Sequence, residues 1–198
     1  MKLLLTAFEP FGGEALNAAR EAVSALDAPE GLQLRRLLVP TVFGLAGDTV
    51  WEAIARERPD AVLCVGQASG RAALTPERAA LNLRDASIPD NAGNRPVDEP
   101  VVPGGPAAYF TTLPVREMAE AIRRAGLPAA ISSSAGTFVC NDLLYTLLYR
   151  IEREGLPIRC GFLHVPCLPE QAAEGTPSLP LEDTVRGLAA AVAALIGE

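Results

Sequence analysis

The chain has 198 residues, with 17 Lys and Arg against 24 Asp and Glu for a formal charge of −7, and 49% of its side chains are hydrophobic. That length fits one domain over residues 1–198, with a core large enough to stand without disulfide staples. The acidic balance and the lack of any basic run argue against nucleic acid and anionic membrane surfaces as partners.

The opening stretch MKLLLTAFEP predicts a strand over residues 2–8. Its apolar run stops at Glu9, too short for a secretory signal core, so the expected location is the cytoplasm. A helical pattern over 17–27 follows, then a strand over 32–40, a helix over 41–58 and a strand over 60–66. Further on, a helix over 114–126, a strand over 128–134, a helix over 141–154, a strand over 158–165 and a last helix over 181–196 are predicted. In the helix at 141–154, Leu143, Leu144, Leu147, Leu148 and Ile151 form one apolar stripe and Gly155 supplies the stop. Several strand runs are continuously apolar, the pattern of strands covered on both faces. The expected architecture is α/β, a three-layer α/β/α sandwich with a mostly parallel twisted sheet. The late run GLAAAVAALIG is too short to span a bilayer, so no membrane partner is expected.

Residues 66–105 break the alternation. They are rich in Gly, Pro, Asn and Asp, with one strand predicted near 78–83. A loop this long in a compact domain is usually a pocket wall or a subunit contact. Ligands of parallel sheets sit beyond the carboxyl ends of the strands. Functional residues should therefore gather after Phe8, after Val65, before Cys140 and around His164.

Cys140 lies in SAGTFVCND, where a helix begins. Backbone N–H groups and the positive end of the helix dipole at that position favour thiolate over thiol and offer donors to an oxyanion. Cys64 and Cys160 sit inside apolar strands and read as core. Cys167 lies three residues past His164 and beyond Pro166, so the two side chains point oppositely. All four cysteines are expected to be free thiols, and His164 with Cys167 supplies too few ligands for a metal. His164 is the one histidine, hence the one side chain whose ordinary pKa suits a base near neutral pH. Ile158, Cys160, Phe162 and His164 share a strand face, which brings the imidazole out at the end where Cys140 should arrive. A Cys–His pair needs an acid to orient the ring. Glu77 in TPERAALN is a candidate, with Asp85, Asp90 and Asp98 as competitors, and spacing does not choose among them.

The blocks FEPFGG, GQASGR, TPERAALNLRDASIPDNAGN, GGPAAYFTTLPV, SAGTFVCN and GFLHVPCLPEQ, in this order, resemble the type I pyroglutamyl peptidases over nearly the whole chain. The resemblance implies removal of an amino-terminal pyroglutamate from peptides by a cysteine peptidase, with Glu77, Cys140 and His164 as the triad. It also implies a phosphorylase/hydrolase-like α/β fold, a cytosolic location, no metal or organic cofactor, and a homotetramer in many members. Phe8, Phe11, Thr41, Ile88, Phe138 and Val139 would line the lactam pocket, with Gln67 nearby. The chain departs from the family pattern at Ser69, at Asn17 to Ala19, at Cys167, and above all at Ser87, where the family carries an arginine. Either that arginine is dispensable, or Arg84 or Arg71 reaches in. Ser87 motivates one alternative, a pyroglutamyl-peptide binding protein with weak or no turnover. Another is a Cys-dependent amidase acting on a different small lactam or amide.

Overall fold

The computed structural model describes residues 1–197. In chain order these form β1 (Lys2–Phe8), α1 (Ala18–Ala25), β2 (Gln33–Val39), α2 (Leu45–Glu57), β3 (Ala61–Gln67), β4 (Thr75–Pro76), β5 (Ala79–Leu81), β6 (Ala108–Phe110), α3 (Val115–Arg124), α4 (Val139–Arg153), β7 (Arg159–Val165) and α5 (Leu181–Ile196). The main sheet runs β2-β1-β3-β7-β4. Its first four strands are parallel and β4 is antiparallel to β7.

The two-residue period of the strands builds the three layers. Leu3, Leu5, Leu63, Val65, Leu163 and Val165 face a core completed by Ala22, Met118, Ile122, Leu188 and Val192 of α1, α3 and α5. Leu4, Phe8, Val62, Cys64, Cys160 and Phe162 face the opposite core, closed by Val50 and Ile54 of α2 and by Leu143 and Leu147 of α4. Burial on both faces accounts for the unbroken apolar runs. No helix among the described residues is long and apolar enough to cross a membrane.

Three predicted elements differ. Residues 128–134 are not a strand; they touch the sheet through isolated bridges at Ala129 and Ser132, opposite Leu74 and Glu77. Pro128 and Pro76 lack the N–H groups a continuous ladder there would need. The strand placed at 78–83 is the shorter β5, which pairs with β6 in a separate two-stranded sheet, while β4, on the edge of the main sheet, precedes the predicted range. Pieces of two or three residues are too short to show a period. Helix α2 begins at Leu45 rather than at 41, because the chain turns first through Gly44 at φ 73.

The first turn of α4 holds the long loop in place. Asn141 accepts the Leu81 N–H at 2.7 Å and donates to the Leu81 and Leu83 carbonyls at 2.9 Å each. Asp142, fully buried, accepts from Arg84 Nε at 2.6 Å and from the Gly44 N–H at 2.8 Å. One helical turn thereby fixes the segment after β5 and the entry to α2, both of which border the carboxyl ends of the strands.

Candidate active site

Cys140 is the second residue of α4, after an extended Phe138 at the N-cap. Its sulfur rests over β3 at Gly66: a Cβ there would lie 3.0 Å from Sγ and 2.8 Å from the Phe162 ring. Gly66 is the register partner of His164 on β7. The sulfur and the imidazole are thus neighbours across adjacent strand ends, and the ring packs 4.6 Å from Phe162. Glu77 follows β4, where its N–H donates to the Phe162 carbonyl at 2.9 Å. Its Oε1 lies 2.7 Å from His164 Nδ1, and the side chain is fully buried. Of the acids left open by the sequence, Glu77 alone bonds the imidazole among the described residues. Asp90 accepts instead from Phe43, Ala92 and Asn94, while Asp85 and Asp98 are exposed.

The electrostatics overturn one expectation. Burial pushes the Cys140 thiol up to about 12, with the charge of Glu77 adding to the rise, and Arg71 and the backbone N–H of Cys140 pulling it down by less. The helix start therefore does not yield a resting thiolate, because desolvation outweighs it. Burial also lowers the His164 pKa, although Glu77 pulls it the other way. The resting pair is a neutral thiol beside a neutral imidazole. Cys64 is likewise raised to about 12 by burial and Cys160 is raised for the same reason, as suits core thiols.

Cys140 and His164 open on a cavity of about 550 Å³ that Phe8, Phe11, Thr41, Gln67 and Phe138 also line. Phe138 is braced by Phe11 and Phe43, at ring separations of 5.9 and 5.3 Å. Two expected lining residues lie elsewhere. Val139 is fully buried in the core between the sheet and α4, and does not line the cavity. Ile88 is 41% exposed, with its Cδ1 near Gly12, and does not line the cavity. Gln67 has its Oε1 occupied by the Ala18 N–H at 2.7 Å, and its amide nitrogen reaches Ser69 Oγ at 3.3 Å.

Ser87 lines the cavity, but neither arginine proposed to compensate for it does. Arg84 is held by Asp142, and Arg71 is held by Glu77. The guanidinium that borders the cavity is that of Arg95, whose Nε donates to the Ala86 carbonyl at 3.2 Å. Arg95 and Asp85, both exposed, carry the only fixed charges in the cavity wall among the described residues. Sequence reasoning also missed Asn17. Its capping role was legible, since its side chain accepts from the Ala19 and Arg20 N–H groups, but its place on the cavity was not.

A family model described as pyroglutamyl peptidase matches residues 1–198. The chain is 55% identical to a pyrrolidone-carboxylate peptidase of Levilactobacillus brevis, over 99% of this chain and 98% of the relative. It is 48% identical to one from Streptococcus pyogenes, over 99% and 93%. The crystal structure of Bacillus amyloliquefaciens pyroglutamyl peptidase I superposes with a TM-score of 0.95 at 46% identity, covering all of this chain and 97% of that one. A mutant pyrrolidone carboxyl peptidase from Pyrococcus furiosus gives 0.93 at 38% identity, covering 99% and 98%. The alternative of a binding protein that has lost turnover finds no support in these relatives, which carry peptidase names. With its parallel-sheet fold and a match along its whole length, the chain belongs to the pyroglutamyl peptidase family, cysteine peptidases that remove an amino-terminal pyroglutamyl residue.

Proposed function

We propose that Cys140, His164 and Glu77 form the triad with which this chain hydrolyses the amide bond after an amino-terminal pyroglutamyl residue. The observation that carries the reading is the 2.7 Å contact from Glu77 to His164, with the Cys140 sulfur over the register partner of that histidine. Glu77 accepts the Nδ1 proton, which leaves Nε2 as the base. As the thiol attacks the lactam-bearing carbonyl, its proton passes to Nε2 and a C–S bond forms. The imidazolium then returns that proton to the departing amine, the C–N bond breaks and a thioester remains. Water, deprotonated by the same nitrogen, cleaves the thioester and regenerates the thiol. The backbone N–H of Cys140 at the helix start is the proposed oxyanion donor.

A pyroglutamyl ring is neutral, with two methylenes, one amide N–H and one ring carbonyl. Phe8, Phe11 and Phe138 offer it apolar walls, and Thr41 and Gln67 offer polar edges. The charges of Asp85 and Arg95 belong on this reading to the mouth, where the leaving peptide runs out. The proposal extends to one domain, a cytoplasmic location and a homo-oligomer, a tetramer by family likeness. Its steps are assigned to side chains, backbone and water.

The test is release of chromophore from a pyroglutamyl arylamide, with loss of activity on treatment with iodoacetamide. A prolyl arylamide, lacking the ring carbonyl, should be cleaved slower by on the order of 10⁴-fold. Equal cleavage of the two, or activity untouched by alkylation, would sink the reading.

The neutral pair also fixes the pH profile. His164 must be unprotonated to act, and its pKa lies below the ordinary 6.5, so the acid limb of kcat/KM should centre below 6.5. With the thiol at about 12, activity should stay level from there to about pH 9. Stability follows the same signs. The contribution of His164 is full above 6.5 and lost as pH falls through its lowered pKa. That of Cys140 is full below 9.0 and lost as pH rises toward about 12. An acid limb centred above 7 would contradict the neutral pair.

A further inference from the structure

Arg71 does not line the cavity, yet it is tied to the histidine by two routes. Its Nη1 lies 2.5 Å from Glu77 Oε1, the same oxygen that accepts from His164 Nδ1. The same nitrogen also contacts Thr75 Oγ1. Thr75 is in turn the register partner of His164 across the antiparallel β4–β7 pair. Arginine, threonine, glutamate and histidine thereby close a ring around one edge of the sheet.

The carboxylate needs that ring. Glu77 is fully buried, and its Oε2 has no hydrogen-bond partner among the described residues. All of its directional bonding runs through Oε1, and an acceptor held at one oxygen by the imidazole alone swings with it. A second donor on that oxygen sets the carboxylate plane independently of the ring. A guanidinium, planar and always charged, gives this contact a strength that a neutral donor lacks.

We propose that Arg71 is a positioning residue of the triad, fixing Glu77 Oε1 against Thr75 and through it the orientation of His164. The proposal rests on the triad assignment above and goes beyond it by adding a fourth member outside the substrate cavity. Its charge has a second effect, because it opposes protonation of the imidazole, in the same direction as burial and against Glu77. The titratable and charged groups around His164 are Glu77 after β4, Arg71 in the loop before it and Cys140 on α4, with Asp85 and Arg95 on the wall of the shared cavity. Removing Arg71 takes away a positive charge and frees Glu77 Oε1, and both changes favour the imidazolium.

A chain with one histidine reports this directly. The imidazole ¹⁵N resonances of His164 are followed against pH in the unaltered enzyme, in Arg71→Gln and in Arg71→Lys, alongside kcat and KM for a pyroglutamyl arylamide. Arg71→Gln is expected to move the His164 midpoint to higher pH. It should also lower kcat by roughly ten- to a hundredfold, the scale of a misplaced catalytic group, with KM changed less than about twofold. Arg71→Lys, which keeps the charge, should return the midpoint close to that of the unaltered enzyme and restore part of kcat. A midpoint that stays put or falls in Arg71→Gln, or a loss carried by KM, overturns the proposal. Should Arg71→Gln fail to fold, Thr75→Val removes only the second anchor and should shift the midpoint the same way by less; an unmoved midpoint there overturns it too. Absence of turnover in the unaltered enzyme would instead sink the triad reading, while the ¹⁵N titration still decides whether Arg71 governs the imidazole.

Discussion

Replacing Cys140 by serine is expected to lower kcat/KM for a pyroglutamyl arylamide by on the order of 10⁴-fold or more, the scale seen when a nucleophile is removed from a triad. The resting state explains the severity. With thiol and imidazole both neutral, the reaction depends on moving one proton from sulfur to His164 as the carbonyl is attacked. A hydroxyl is a far weaker acid than a thiol, so the same imidazole, with its pKa lowered by burial, is a poor match for it. Substrate affinity should survive, because the phenylalanine walls and Gln67 are untouched. Binding of a pyroglutamyl peptide followed by calorimetry should therefore stay within a few-fold of the unaltered enzyme while turnover disappears. Serine activity within tenfold of cysteine would show that another group is the nucleophile.

The second large effect is expected at Gly66→Ala. The backbone there is ordinary strand and tolerates any residue, so the objection is space alone. The new methyl would sit 2.8 and 2.9 Å from two carbons of the Phe162 ring and 3.0 Å from Cys140 Sγ. Phe162 is almost fully buried and packs on Phe8 at 6.2 Å and on His164 at 4.6 Å, so relief by moving the ring displaces the imidazole. Relief by moving the sulfur displaces the nucleophile. Overpacking of this kind costs about 1–3 kcal/mol of stability. A displacement near 1 Å costs roughly a hundredfold in rate. Thermal unfolding and kcat/KM measured together test both; an alanine variant with unaltered Tm and rate would mean that the sulfur does not lie over β3.

Much of this was legible in the sequence because burial on two faces leaves a strong trace. The four parallel strands were found to within a residue or two at each end, and Cys140 and His164 were chosen by their place at a helix start and a strand end. Glu77 was not chosen by spacing: it follows a two-residue strand, too short to carry a pattern, and only the resemblance singled it out. The thiol's state was misread for a different reason. Helix-end placement can be read along the chain, whereas desolvation comes from Phe162, Gly66 and neighbours distant in sequence. Arg95 was missed on similar grounds, since an exposed arginine in a polar loop looks like solvated surface until the loop folds over the cavity.

The turn of α4 that presents the sulfur also grips residues 81–84, which lead directly into the cavity rim at Asp85, Ala86 and Ser87, through Asn141 and Asp142. Nucleophile and pocket rim are therefore mechanically one piece. Their amides should exchange with solvent in a single concerted opening, so any agent that loosens the rim also disarms the thiol.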